Sequence, residues 1–140
     1  MISFHDTVDW NNNLDYNSLE SMVYRIIGDY NKDLASINFV FCSDDFLLDI
    51  NRKYLKHDYY TDVITFDYEE SIIVSDVYIS IDRVRENAKD RCVSFMNELC
   101  RVVFHAVLHL CGLVDKSKAD ELHMRSREDY YLSVFVSRET

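Results

Sequence analysis

The stretch Arg101–Lys116, RVVFHAVLHLCGLVDK, places His105 and His109 four residues apart in an apolar run, halts at Gly112 and delivers Asp115 three residues later. An α-helix turns once in about 3.6 residues, so side chains at i and i+4 stack on one face with Cβ atoms about 5–6 Å apart. Two imidazoles at that spacing can bind one metal ion. Phe95, Met96, Leu99, Val102, Val103, Phe104, Val107, Leu108 and Leu110 leave almost no polar face, which predicts a helix buried nearly all round. Gly112, one of two glycines, stands where a left-handed residue would end that helix and swing Asp115 back as a third ligand. The competing reading is a hydrogen-bonded structural pair of histidines, because an isolated His-x3-His is a common coincidence.

At 140 residues and 48% hydrophobic side chains, the chain is expected to form a single domain spanning 1–140 with its own core. The uncharged run Val102–Val114 is too short to cross a bilayer, and Met1–Trp10 has neither a basic start nor an apolar signal core. A cytoplasmic protein with no membrane partner is therefore expected. Cys42, Cys92, Cys100 and Cys111 form no CxxC pair and suit reduced core thiols. Cys111 falls about 200° around the helix from His109, which favours core filling over metal ligation. The net charge of −10 argues against a broad basic face for nucleic acid. Two local basic clusters remain, Arg52, Lys53, Lys56 and His57, then Arg83, Arg85, Lys89 and Arg91. From composition alone each reads as a solvated helix face.

In chain order, Ile2–His5 reads as a strand and Asp6–Asp15 as a polar connection anchored by Trp10. Asn17 or Ser18 caps a helix to about Tyr30, Ser36–Cys42 alternates as a strand, and Ser43 caps a helix ending near Leu55. Thr61–Tyr68 and Ile72–Ile81 are rich in β-formers and read as a hairpin. Asp82 caps a helix to about Lys89, Ser94 opens the His-bearing helix, and Lys118–Val136 forms the last, with Leu122, Tyr130, Leu132 and Phe135 as its apolar side. The expected class is α+β, a small mixed four-stranded sheet covered by about five helices.

Two imidazoles and a carboxylate leave a divalent ion an open position, as in catalytic zinc sites. The same set serves non-haem Fe(II), so the ligands alone do not name the metal. Ala106 occupies the place of the general-base Glu in HExxH peptidases, which disfavours peptide hydrolysis by that route. His123 is a rival third ligand but lies on the charged last helix.

HAVLHLCG followed by Asp115 resembles the signature of the YbeY family of bacterial rRNA-maturation endoribonucleases. Asn51-Arg52-x-Tyr54 with Asp58, then Thr61-Asp62-Val63-Ile64-Thr65-Phe66, is similar to a second family stretch, and Ser75-Asp76-Val77-Tyr78-Ile79-Ser80 to a third. The likeness runs from about residue 34 to 132. It implies a zincin-like metal-binding helix and a single-strand-specific, metal-dependent endoribonuclease. The expected task is trimming the 3′ end of 16S rRNA, with quality control on ribosomal particles or proteins. His105 and His109 become metal ligands and act in catalysis through metal-bound water, with Zn²⁺ as the expected ion. Asp115 stands where most members carry a third His. Leu55 replaces a family Arg that engages RNA, so either Arg52, Lys56 or His57 takes over the phosphate contact or RNA binding is weaker here. A ribosome-assembly factor with a structural metal and a metallohydrolase of another substrate are the competing functions. Tyr59 or Tyr60 could stack on an unpaired base or pack on the sheet.

Overall fold

The computed structural model describes residues 1–10 and 13–139. Strands β1 (Ile2–Asp6), β2 (Leu34–Cys42), β3 (Val63–Asp67) and β4 (Ile73–Ser80) form one sheet in the order β1-β2-β4-β3. β1, β2 and β4 run parallel, and β3 pairs antiparallel with β4 as the expected hairpin. Five helices complete the α+β fold: α1 (Tyr16–Asp29), α2 (Asp44–Ile50), α3 (Ile81–Arg91), α4 (Phe95–Leu110) and α5 (Lys118–Glu139). Among the described residues no helix is long and apolar enough to cross a membrane.

The core lies where α4 backs onto the sheet. Ile37, Phe39 and Phe41 of β2 and Val77 and Ile79 of β4 alternate toward it and meet Leu99, Val103, Phe104, Val107 and Leu108, all fully buried. Each such side chain contributes about 1.5–3 kcal/mol of apolar burial. Trp10 is the anchor its position suggested: its ring meets Phe41 and Phe95, and its Nε1–H donates to Asp6 at 2.9 Å. The rest of that expected Asp6–Asp15 connection includes residues 11 and 12, which lie outside the described residues. A smaller cluster of Cys42, Leu47 and Ile64 holds α2 against the opposite face of the sheet.

Several boundaries and faces differ from the sequence expectation, each for a local reason. Asp15, rather than Asn17 or Ser18, caps α1, because its carboxylate accepts from the Ser18 backbone N–H and hydroxyl together. Ser80, rather than Asp82, caps α3, which leaves the Asp82 carboxylate to accept the Asp44 N–H at the start of α2. Past Ile50 the chain widens into i→i+5 turns over Asn51–Leu55 and stops at Lys56, whose φ is 59°. Cys92 is exposed and left-handed at the end of α3, so it is not a core thiol, whereas Cys42, Cys100 and Cys111 are buried. On α5 the inward face is Met124, Glu128, Tyr131, Leu132 and Phe135, while Leu122 and Tyr130 face outward. Spacings of four, three and four residues from Met124 to Phe135 set that stripe.

Ser94 caps α4 by accepting the Asn97 N–H, and the helix closes as anticipated on Gly112. Gly112 N–H reaches the His109 carbonyl and Leu113 N–H the Leu108 carbonyl, a Schellman closure with φ 106° at Gly112. No atom stands within 4 Å of a Cβ built there, so backbone conformation alone demands glycine. Gly112→Ala is expected to destabilise the fold by about 1–2 kcal/mol. Gly28→Ala, inside α1 with equally open space, is expected to stabilise by about 0.5–1 kcal/mol. Urea unfolding of the two variants reads both values, and equal shifts of one sign would refute the assignment.

Candidate active site

As the apolar run predicts, α4 is buried nearly all round, and one strip escapes the core. Arg101, His105 and His109 follow at four-residue intervals along it, the first two part-buried and the third exposed. The strip faces a cavity of about 350 Å³ between α4, the C-terminal end of α3, the residues leading into β3, and α5.

His105 has a carboxylate on the side of each ring nitrogen and is held by the first. Its Nδ1 lies 2.7 Å from Glu128 Oε2, and its Nε2 lies 3.7 Å from Asp115 Oδ2. The Schellman turn is what carries Asp115 back over the helix end. Glu128, only 5% exposed on α5, accepts on its other oxygen from Arg101 Nη1 at 3.0 Å. Arg101 also spans to Asp129 at 2.7 Å. The hydrogen bond that His105 donates to Glu128 raises the His105 pKa against the opposing effect of burial. Burial pushes Glu128 up, but its bonds to His105 and Arg101 prevail and leave it below the ordinary carboxylate value. Both shifts describe one ion-paired unit.

Asp62 closes the cavity from the β3 side. Burial raises its pKa, while Asn87 donates to its Oδ2 at 3.2 Å. Glu98, 1% exposed, is likewise raised by burial and pairs with Arg91 at 3.3 Å.

The expected ligands are only partly assembled. His105 and Asp115 face each other, while the His109 ring has no hydrogen-bond or ion-pair partner among the described residues and does not line the cavity. Among the described residues no group of three or more His, Cys, Asp or Glu side chains stands ready around one ion position. The donor chemistry nonetheless fits a divalent ion. Ligands of a tetrahedral ion with bonds of about 2.0–2.2 Å stand about 3.3–3.6 Å apart. The 3.7 Å between His105 and Asp115 approaches that edge. In the neutral ring that binds a metal, Nδ1–H is given to the carboxylate and Nε2 keeps its lone pair outward, the arrangement that orients metal-bound histidines.

Arg52, Lys56 and His57 do not line this cavity. Arg52 is tied to Asp58 at 2.5 Å, and His57 stacks on Tyr59 with its Nδ1 3.0 Å from the phenol. Tyr60 lies over the Arg83 guanidinium, and both tyrosines are about half exposed rather than packed on the sheet. His123 is exposed on α5.

Apolar periodicity along the last helix passes over Glu128, which the fold makes the partner of His105. The available signal was its place in the stripe Met124, Glu128, Tyr131 and Phe135, a carboxylate at a position the spacing buries. Arg91, Glu98 and Arg125 share the cavity but belong to segments that read as ordinary amphipathic helix.

The Thermotoga maritima protein whose solution structure superposes with a TM-score of 0.72 has 24% identity, over 99% of this chain and 91% of its own, and so shares the fold. The endoribonuclease YbeY of Flavobacterium psychrophilum is 51% identical over 136 residues, 96% of each chain. That of Porphyromonas gingivalis is 45% identical over 108 residues, 76% of this chain and 72% of its own. That of Karelsulcia muelleri is 43% identical over 111 residues, 79% of each. The family model described as endoribonuclease YbeY matches residues 5–136, and with these relatives it places the chain in the YbeY family.

Proposed function

We propose that this chain is a metal-dependent endoribonuclease for single-stranded RNA. Its cellular substrate is the 3′ end of 16S rRNA, met on ribosomal particles in the cytoplasm. The observation carrying the site assignment is His105, with Nδ1 locked by buried Glu128 and Nε2 facing Asp115. His105, His109 and Asp115 would hold one divalent ion, Zn²⁺, which supplies Lewis acidity toward a phosphodiester oxygen.

The protein's own side chains do the positioning. Glu128 fixes the His105 ring, and Arg101 keeps Glu128 ionised by a charge-assisted hydrogen bond. Asp62, its pKa raised by burial, adds a group at the cavity wall that retains a proton more readily than a free carboxyl. Val63 and Val102 give the same cavity apolar wall. Outside it, Arg52, Lys56 and His57 would meet the RNA backbone away from the reacting bond. With net charge −10 this contact is weak for bare RNA, so docking on the ribosomal particle supplies much of the affinity.

Zinc-loaded protein is expected to cleave a single-stranded oligoribonucleotide and to stop with chelator. His109→Ala is expected to lower the rate at least about 100-fold, since metal-site neighbours alone are worth about 10–100-fold. Metal-free His109→Ala should melt within about 0.5 kcal/mol of the parent, because that ring is exposed and unpartnered among the described residues. Undiminished cleavage in chelator or in His109→Ala would contradict the proposal. Loss of fold without a separable loss of rate would favour a structural metal.

The His105–Glu128 pair also sets a pH dependence in metal-free protein. His105 is raised above its ordinary 6.5, so its contribution is complete below 6.5 and fades as pH rises through the raised value. Glu128 is lowered below its ordinary 4.5, so its contribution is complete above 4.5 and fades as pH falls through the lowered value. The stability margin of the parent over Glu128→Gln should therefore peak between pH 4.5 and 6.5 and narrow on both sides. Thermal melts of both proteins across pH 3–9 in chelator, on the order of one melt per half unit, check this. A margin that grows steadily toward alkaline pH would refute it.

A further inference from the structure

Three arginines line the cavity at His105, and they are not equivalent. Arg101 is spent: 13% exposed, it is bound to Glu128 and Asp129. Arg91, at the last position of α3, gives one Nη to Glu98 at 3.3 Å and keeps its side chain 40% exposed. Arg125 on α5 is 51% exposed, and its nearest anion among the described residues is Glu128, 4.0 Å from Nε. A guanidinium has five N–H donors in a rigid fork. Both line the cavity that holds His105 and Asp115, and among the described residues one hydrogen bond, to Glu98, takes up an Arg91 donor and none takes up a donor of Arg125. The two stand on different helices flanking α4, and the Glu98 carboxyl lies within the electrostatic reach of both. Meanwhile Leu55 offers no charge, and Arg52, paired with Asp58 and Asp49, stands outside the cavity.

We propose that Arg125 and Arg91 form a phosphate clamp inside the active-site cavity, gripping the RNA backbone beside the reacting phosphodiester from the α5 and α3 sides. This rests on the endoribonuclease reading of the same site. The ligand is the phosphodiester anion of single-stranded RNA, recognised by guanidinium forks whatever the base. Five carboxylates share the lining, Asp62, Glu98, Asp115, Glu121 and Glu128. The clamp therefore selects a strand presented with its phosphates toward α3 and α5 and disfavours one lying along the acidic walls. Arg91 and Arg125 are binding residues, and Arg101 is a positioning residue that acts through Glu128.

Arg125→Ala is the cleaner variant, because buried Glu128, 4.0 Å away, keeps its closer partners His105 and Arg101. Arg91→Gln keeps a donor for Glu98 and its fold is checked by thermal melting. Zinc-loaded parent, both single variants, the double variant and Arg125→Lys are assayed on one single-stranded oligoribonucleotide. Binding of the same oligoribonucleotide is followed against salt in chelator, where cleavage is not expected. Each single variant is expected to lose about 10–100-fold in kcat/KM, mostly through KM. The slope of log Kd against log salt should fall by about 0.7 per clamp residue removed. Lys at 125 should restore the slope but only part of kcat/KM, since an ammonium lacks the fork. Unchanged kcat/KM and salt slope in Arg125→Ala, with an active parent, would overturn the clamp alone. A loss matched by lower melting temperature or weaker zinc binding would overturn it in favour of a structural role. A parent that neither cleaves nor binds would overturn the endoribonuclease reading, and the clamp with it.

Discussion

Everything at the centre of this fold converges on the carboxylate of Glu128. A carboxylate that is 5% exposed is tolerable only when its oxygens are occupied, and here one meets His105 and the other Arg101. Those two side chains lie one turn apart on α4, so a single buried group on α5 fixes the packing of the two helices and the angle of the imidazole. Tyr131, one turn further along α5, extends the arrangement to α1 by donating to Asp29 at 2.7 Å. The site is thus built into the helix–helix interface, and the geometry of His105 is inherited from the packing of the domain.

The same interface explains how a strongly acidic protein belongs to a family of endoribonucleases. Negative charge also lines the cavity, but its two most buried carboxylates are neutralised in pairs: Glu128 by His105 and Arg101, Glu98 by Arg91. Asp62 is shifted toward its neutral form by burial. What remains available to a substrate is therefore set by which cations are unspent rather than by net charge. Specificity for a particular RNA must then come from how the strand is presented at this opening.

Much of this was readable from the chain because the decisive features are local. The His-x3-His spacing, the Ser94 cap and the Gly112 stop need only helical geometry and a left-handed φ. The alternation of Ile37, Phe39 and Phe41 and the hairpin of β3 and β4 follow from period two. Structure and local pattern part where two local solutions compete, as at the caps of α1 and α3, where Asp15 and Ser80 displace neighbouring candidates. The inward face of α5 departs from its apolar pattern because Leu122 and Tyr130 are exposed, whereas polar Glu128 is buried. Only a tertiary partner can make that exchange favourable, and His105 lies 23 residues away in sequence. The exposure of His109 and the confinement of Arg52 to its own loop likewise depend on neighbours that no local pattern names.

The central claim is that the Glu128-held imidazole presents its second nitrogen to a divalent ion shared with Asp115 and His109. Anomalous diffraction at the zinc edge, on crystals of the purified protein grown with zinc, tests it most directly. The account predicts one peak about 2.0–2.2 Å from His105 Nε2, a His109 ring nitrogen and an Asp115 oxygen, with the His105–Glu128 hydrogen bond intact. Zinc bound elsewhere, or His105 turned away with Glu128 left to Arg101 alone, would contradict it.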